Sequence, residues 1–500
     1  MGAVIYNNST QQIIAILGNT NIFSILPQIT LIAGALVSMT ASALPEFKFK
    51  HTFCYIISLV FLTTGVILSV YASVHPGGAA FNGMVNSTLF SGMLNTIYSI
   101  TALLITLIAD SYFTRRGRYT TELYSLIQFA AVGMMFMTAG GNLIVIFLGL
   151  EILSVALYIL TGIDTEDRRS NESSVKYFLM GAFASSFLLY GIAFLYGATG
   201  TLATDGIGKF ILLTSSWNNI YISAGIILLI TGFGFKVSMV PFHMWTPDVY
   251  QGTPLIITVF LSTAPKAAAL TALVKVIMII TPVQAVSGWL PDLIALFAIL
   301  TMTVGNLMAL NQTDIKRIMA FSSIAHIGYM LVAFAVFRPE AAGAMLFYFA
   351  AYILINVGLF AILSLVAMHE DRNLTLEGIA GLAREKPFFG LFLLIFLFGL
   401  AGVPPTAGFT AKFFIFSAAV EAKLYFLAVT GIINSAISAY YYLRILLYSY
   451  IKEPADSGES FSEAKINVAS FIVMAVTAAG TLLLGLLPRV LIELAFKAVR

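Results

Sequence analysis

A single cysteine, Cys54, in 500 residues leaves no partner for a disulfide and too few thiolates for an iron–sulfur cluster or a structural zinc site. It reads as an ordinary buried small hydrophobe. The five histidines are scattered, so there is no Cys/His ligand cluster either. Charged residues amount to only 10%, and the net charge of +3 is spread over connecting segments, which leaves no electrostatic footprint for nucleic acid. A dinucleotide glycine motif between a strand and a helix is also missing. Residues 1–21 lack a basic start and a small-residue cleavage site, so no cleaved signal peptide is expected and the first spanning helix directs insertion.

What fills the chain instead is apolar sequence. Hydrophobic residues make up 59% and the mean hydropathy is +0.94, a balance with too little polar surface for a soluble globule. The chain reads as an all-α, polytopic membrane protein. Apolar runs of about 20 residues start near Phe23, Thr52, Asn95, Leu123, Asn142, Ser174, Tyr221, Leu255, Leu293, Ile318, Ala341, Phe388, Tyr425 and Val468, which predicts fourteen spans. With the N-terminus outside, the inward connections hold Lys48, Lys50, Arg115, Arg116, Arg118, Arg168, Arg169, Lys316, Arg317, Arg372, Arg384, Lys386, Lys452 and Lys465. The outward ones hold only Lys209, Arg338, Lys423, Arg489, Lys497 and Arg500, so the excess of basic residues places both termini outside.

Six basic residues remain within or at the margins of spans: Lys176, Lys236, Lys266, Lys275, Lys412 and Arg444. Only one acid, Glu151, falls well inside an apolar run. A charge near a bilayer centre costs roughly 2.5–3.5 kcal/mol on insertion scales, so it is normally kept where it lines an ion path or pairs with another charge. Glu151 needs a cation within about 4–6 Å to stay charged, and Lys236 is the natural choice because its helix is interrupted at Pro241. A static Glu–Lys pair that fixes helix packing is the bland alternative. Lys266 follows Pro265 among small alanines, about a dozen residues into the eighth span, too deep for a snorkelling anchor. Lys275 lies nearer an interface and reads as a snorkelling lysine, and the position of Lys176 fits an anchor and a functional group equally. His326 is the one histidine deep in a span, a relay by its chemistry or a hydrogen-bonded core residue. His243 lies just past Pro241, placed to connect the bundle with water on the inner side. Lys412 follows Pro404 and Pro405 and precedes four apolar residues, which puts it at depth.

The interruptions at Pro241 and at Pro404-Pro405 are five spans apart. Gly/Pro-broken helices in corresponding positions suggest two five-helix repeats, and five being odd, consecutive repeats would be inverted. The expected organisation is an N-terminal three-helix segment (1–120), a first repeat (121–285), a second repeat (286–451) and a loop with a final span (452–500). Broken backbone at membrane depth is tolerated where it is buried in protein or lines a watered cavity. Each repeat is therefore expected to supply a half-channel, with Glu151, Lys236, Lys266, His326 and Lys412 as a coupled series of proton stations.

Three stretches carry a resemblance. Val240-Pro-Phe-His-Met-Trp-Thr-Pro-Asp-Val-Tyr-Gln-Gly-Thr-Pro, Asn311-Gln-Thr-Asp-Ile-Lys-Arg-Ile-Met-Ala-Phe-Ser-Ser-Ile-Ala-His-Ile-Gly-Tyr and Gly402-Val-Pro-Pro-Thr-Ala-Gly-Phe-Thr-Ala-Lys-Phe resemble the antiporter-like subunits of respiratory complex I. Over essentially the whole chain the likeness is greatest to the subunit N branch of bacterial NADH-quinone oxidoreductases. It implies fourteen helices with inverted repeats, broken seventh and twelfth helices, and a proton path through Glu151, Lys176, Lys236, Lys266, His326 and Lys412. Subunit M carries Glu where Lys412 stands, and no stretch after the fourteenth span matches the long lateral helix of subunit L. Phe321 stands where a tyrosine is commoner, a mild departure.

The implied function is that of a translocase subunit in the bacterial inner membrane. It would move protons while other subunits oxidise NADH and reduce quinone. FMN, iron–sulfur clusters and quinone would belong to those partner subunits, with subunit M a neighbour and no cofactor or metal in this chain. The alternative from another class is a large subunit of a multi-subunit Na⁺/H⁺ antiporter. A passive scaffold is a third reading, disfavoured by the cost of so many charges.

Overall fold

The computed structural model describes residues 21–45, 49–117, 120–281, 288–367, 374–453 and 467–499. Among them, thirteen helices are long and apolar enough to cross a membrane, and the shorter apolar helix Pro387–Ala401 is half of another. Pro387–Ala401 and Ala407–Glu421 together form the twelfth span, which brings the count to the expected fourteen. Lys48, Arg118, Arg372, Lys465 and Arg500, used above for orientation, lie outside the described residues, as does the 285/286 repeat boundary.

Burial sorts the spans. Every residue in the apolar window of Ile315–Ala335, the tenth span, is buried, and the eleventh (Pro339–Val366) and eighth (Leu255–Ile280) are nearly so. The second (Lys50–Val74) and fourteenth (Val468–Leu486) are mostly open and present Ile56, Val60, Phe471 and Val476 outward. Because lipid is as apolar as leucine, small residues decide which helices meet. A Cβ at Gly133 of the fourth span (Glu122–Ala139) would lie 2.5 Å from the Leu153 nitrogen of the fifth (Leu143–Thr161). A Cβ at Gly305 of the ninth (Trp289–Leu310) would lie 2.7 Å from the Ala325 nitrogen of the tenth. The two contacts are equivalent and 172 residues apart.

The same interval recurs in the connections. Asn142 caps the fifth span through Ile144 N (2.9 Å), and its backbone bridges Ala203 between the sixth span (Arg168–Thr199) and the seventh (Ile220–Val237 up to its break). Asp314 caps the tenth through Arg317 N (2.9 Å) and bridges Thr375 in the corresponding connection, again 172 residues on. Side chains repeat the pattern: Lys275 of the eighth span donates to Thr138 O and Gly140 O at the C-terminal end of the fourth (2.7 and 2.9 Å). Arg444 of the thirteenth (Tyr425–Tyr450) donates to Leu310 O and Gln312 O at the end of the ninth (2.9 and 3.3 Å). A cation satisfies helix-terminal carbonyls and meets the negative end of the dipole. Lys275 therefore does not snorkel as expected; free carbonyls inside the bundle hold it.

Two elements were not anticipated. A short antiparallel hairpin, Gly78–Ala80 with Val85–Ser87, turns through Phe81, Asn82 and Gly83 at positive φ and rests on Gly140 and Gly141. An amphipathic helix, Arg489–Val499, buries Ile492 and Ala495 and leaves the Arg489–Glu493 pair (2.7 Å) exposed, the pattern of a helix lying in the interface. Cys54 is fully buried, as expected of a small hydrophobe.

Candidate functional site

The seventh span stops at Val237 because Ser238 enters the left-handed region (φ 64) and Pro241 has no N–H to continue the ladder; helix resumes at Trp245–Gly252. Lys236 thus occupies a last helical turn, where a cation is favoured. Its side chain is 9% exposed and donates to Ser154 Oγ (2.8 Å) and Tyr158 Oη (3.0 Å). Glu151, Ser154 and Tyr158 stand at i, i+3 and i+7, one face of the fifth span. No salt bridge within 4.0 Å joins Glu151 to Lys236; the lysine donates to the same face of the fifth span one turn beyond the carboxylate. Glu151 is half-buried next to the outward-facing Leu148 and Ile152, and its Oε1 has no hydrogen-bond partner.

A break that the sequence reading did not predict lies in the eighth span. Thr263 (φ −112, ψ −105) separates Leu255–Ser262 from Ala264–Ile280, with Pro265 at the start of the second piece. Lys266 follows at once. It is 2% exposed, donates to Ser323 Oγ of the tenth span at 2.8 Å and lies 5.4 Å from the centre of the Tyr250 ring. Aromatic rings fill the space between the two lysines. Tyr158 meets Tyr177 edge-on at 4.9 Å, Tyr177 stacks on Trp245 at 4.6 Å, and Trp245 meets Tyr250 at 6.2 Å. His243, in the turn between the two halves of the seventh span, is 9% exposed, and its Nδ1 has no partner.

His326 is bonded through both ring nitrogens, Nδ1 to Tyr348 Oη (2.7 Å) and Nε2 to Tyr442 Oη (3.1 Å), and its ring lies against Tyr352. Tyr442 also bonds Ser322, whose neighbour Ser323 holds Lys266. Lys412 lies across the twelfth-span break from the end of Pro387–Ala401. It donates to Leu400 O (3.0 Å), Ala401 O (2.9 Å) and Ser435 Oγ (2.9 Å), with Tyr329 beneath it at 5.1 Å. A cleft of about 720 Å³ lined by Phe409, Phe413, Phe416 and Ser435 reaches the lysine, with Glu421 also on its wall.

Lys176 stands apart. Its side chain is 46% exposed in a surface network, 2.7 Å from Glu172 and 3.8 Å from Asp248, which itself pairs with Arg317 at 2.9 Å. The structure therefore brings Lys236, Lys266, His326 and Lys412 into one buried polar seam, sets Glu151 at its edge and leaves Lys176 on the surface one residue from buried Tyr177. The sequence reading missed the tyrosines of this seam: Tyr158, Tyr177, Tyr250, Tyr329, Tyr348, Tyr441 and Tyr442. A signal was available for Tyr329, Tyr348, Tyr441 and Tyr442, since membrane tyrosines favour interfaces and these four sit in span interiors. Among the described residues, no three of His, Cys, Asp and Glu converge as a metal site.

Residues 140–438 match the family described as NADH:quinone oxidoreductase/Mrp antiporter, transmembrane. NADH-quinone oxidoreductase subunit N of Trichlorobacter lovleyi is 41% identical over 439 residues, 87% of this chain and 89% of that protein. The chain belongs to the NADH-quinone oxidoreductase subunit N family. A chain of respiratory complex I from Thermus thermophilus with bound aureothin shares this family's fold with a TM-score of 0.79 and 31% identity, over 94% of this chain and 100% of that one. A chain of the Mrp complex from Dietzia sp. DQ12-45-1b superposes with a TM-score of 0.82 over 96% of this chain and 97% of its own, at 20% identity, a likeness of fold alone.

Proposed function

We propose that Lys236, Lys266, His326 and Lys412 are the proton stations of this chain, the proton-translocating membrane subunit of an NADH-quinone oxidoreductase. One observation carries the reading. Lys236, Lys266 and Lys412 each donate to at least one hydroxyl, the rest of their bonds going to backbone carbonyls, with no carboxylate in contact. A lysine bonded to a hydroxyl, itself able to relay a proton, gains or loses its proton without leaving a partner charge stranded, whereas Lys275 meets only the carbonyls of a helix end. The static Glu–Lys pair is disfavoured for the same reason. Glu151 acts on Lys236 through space, His243 and Lys176 stand toward the inner face, and protons pass through Lys236 and Lys266 to Lys412 and out.

The interval of 172 residues in packing and bridging supports two repeats, 121–285 and 286–451, between the three-helix segment 1–120 and the final 452–500. The Arg317–Asp248 pair joins two connections assigned to one side and the Trp217–Trp289 stack two assigned to the other, which supports the alternation of spans; the placement of the termini on the periplasmic face rests on the basic-residue count. FMN, clusters and quinone are assigned to partner subunits, and subunit M to an adjoining position. The antiporter reading shares the fold and the family description, but the relatives at about 40% identity are NADH-quinone oxidoreductase subunits N. The test is Lys236→Ala in the assembled complex: NADH-driven proton pumping falls while assembly is retained. Unchanged pumping would remove Lys236 from the path. Co-purification of small membrane partners alone, with sodium-dependent proton exchange and no NADH oxidation, would favour the antiporter.

A further inference from the structure

Between His326 and Lys412 lies a series of buried polar groups in which the directions of the bonds at Asn306 are fixed. Tyr442 bonds His326 Nε2 (3.1 Å), and its hydroxyl lies 3.4 Å from that of Tyr441. Tyr441 Oη donates to Asn306 Oδ1 at 3.0 Å. The other end of the same amide, Asn306 Nδ2, donates to Tyr329 Oη (2.9 Å), Asn434 O (3.1 Å) and Asn434 Oδ1 (3.2 Å). Tyr329 lies under Lys412, and Ser435, next to Asn434, accepts from it. Asn306 and Tyr441 are fully buried, and Asn434 is nearly so.

The network itself settles which way the Asn306 amide points. A backbone carbonyl only accepts, so the atom facing Asn434 O is the nitrogen and the atom facing Tyr441 is the oxygen. Tyr441 must then spend its single proton on Asn306 at 3.0 Å and not on Tyr442 at 3.4 Å, and Tyr329 must accept. Every hydroxyl in the seam can both take and give a proton, but a carboxamide cannot: its oxygen only accepts, and its nitrogen holds its hydrogens at any physiological pH. The polar route that starts at His326 therefore meets, at Asn306, a group that cannot relay a proton, and beyond it Tyr329 meets Lys412 through its ring face.

We propose that Asn306, held by Asn434, is a proton gate: a positioning residue that separates the hydroxyl network of His326 from Lys412, so that protons do not run passively between them. The inference rests on the reading of His326 and Lys412 as stations. During pumping, the proton crosses when the amide leaves this geometry or water enters beside it; at rest the gate is shut.

Three variants of the full complex in liposomes test it. Asn306→Ser and Asn306→Asp replace the amide with a hydroxyl or a carboxyl, groups that relay protons. Asn306→Leu fills the site without relaying. A potassium diffusion potential set with valinomycin drives protons inward, an internal pH dye reads the leak, and NADH-driven gradient formation is measured on the same vesicles. The Ser and Asp complexes are expected to leak faster than the parent and to hold a smaller gradient per NADH oxidised. The Leu complex is expected to be as tight as the parent. Leak equal to the parent in both relaying variants, or leak in the Leu variant equal to theirs, would overturn the gate. Lys412→Ala in parallel separates the two claims: normal pumping there sinks the station reading, whereas lost pumping with tight Ser and Asp variants sinks the gate alone.

Discussion

Lys275 offers the sharpest separation of a structural charge from a functional one. Its ammonium donates to Thr138 O and Gly140 O where the fourth span ends, and Lys275→Met leaves both carbonyls without that donor. A buried polar group stripped of its partner costs about 1–3 kcal/mol, so the pair amounts to about 2–6 kcal/mol. Methionine keeps the apolar stem and removes the desolvation cost of the ammonium, which places the net loss toward the lower end. Arg444→Met should cost about half as much, because its second contact is stretched to 3.3 Å and only the bond to Leu310 O is short. The assay is thermal dissociation of the purified complex, followed on native gels, beside NADH-driven pumping normalised to assembled complex. Lower dissociation temperatures in the order Lys275→Met, Arg444→Met, parent, with pumping per complex retained, are the expected outcome. A Lys275→Met complex of parental stability that does not pump would refute the capping argument and make Lys275 a station.

Other outcomes follow from the same geometry. Tyr442→Phe removes the hydroxyl shared by His326 and Ser322 and should lower pumping per complex about tenfold or more, as loss of a positioned proton-transfer group does; a full rate would show that the route bypasses Tyr442. Gly328→Ala would put a Cβ 2.4 Å from the Met302 nitrogen, so the ninth and tenth spans must part at a cost of about 1–3 kcal/mol, read as reduced yield of complex. Gly197→Ala meets nothing within 4 Å and should be neutral or gain up to about 1 kcal/mol of helix stability, which makes it the control for the same substitution. Asp248→Asn breaks exposed pairs with Arg317 and Lys176, worth about 0–1 kcal/mol each, and should change thermal stability little.

The legible part of this molecule was whatever is written locally. Fourteen spans, the breaks at Pro241 and Pro404-Pro405, and the depth of Lys236, Lys266, His326 and Lys412 follow from run length, from the missing proline N–H and from the cost of charge in hydrocarbon. The break at Thr263 escaped although Pro265, well inside the span that starts near Leu255, is an interior proline of the kind that interrupts a helix. Lys275 was misread because its distance from a span end says nothing about whether carbonyls of another helix wait beside it.

Sequence alone determined that the chain crosses a membrane, how often, and which ionisable groups it carries to depth. The tertiary structure decided which group meets which: Lys236 with Ser154 and Tyr158, Lys266 with Ser323 of the tenth span, and Asn306 between two tyrosines. In soluble helices an apolar stripe marks the inward face, but spans that are apolar all round carry no such mark. Their rotation is set by close contacts such as Gly133 on Leu153 and Gly305 on Ala325, between residues far apart in the chain.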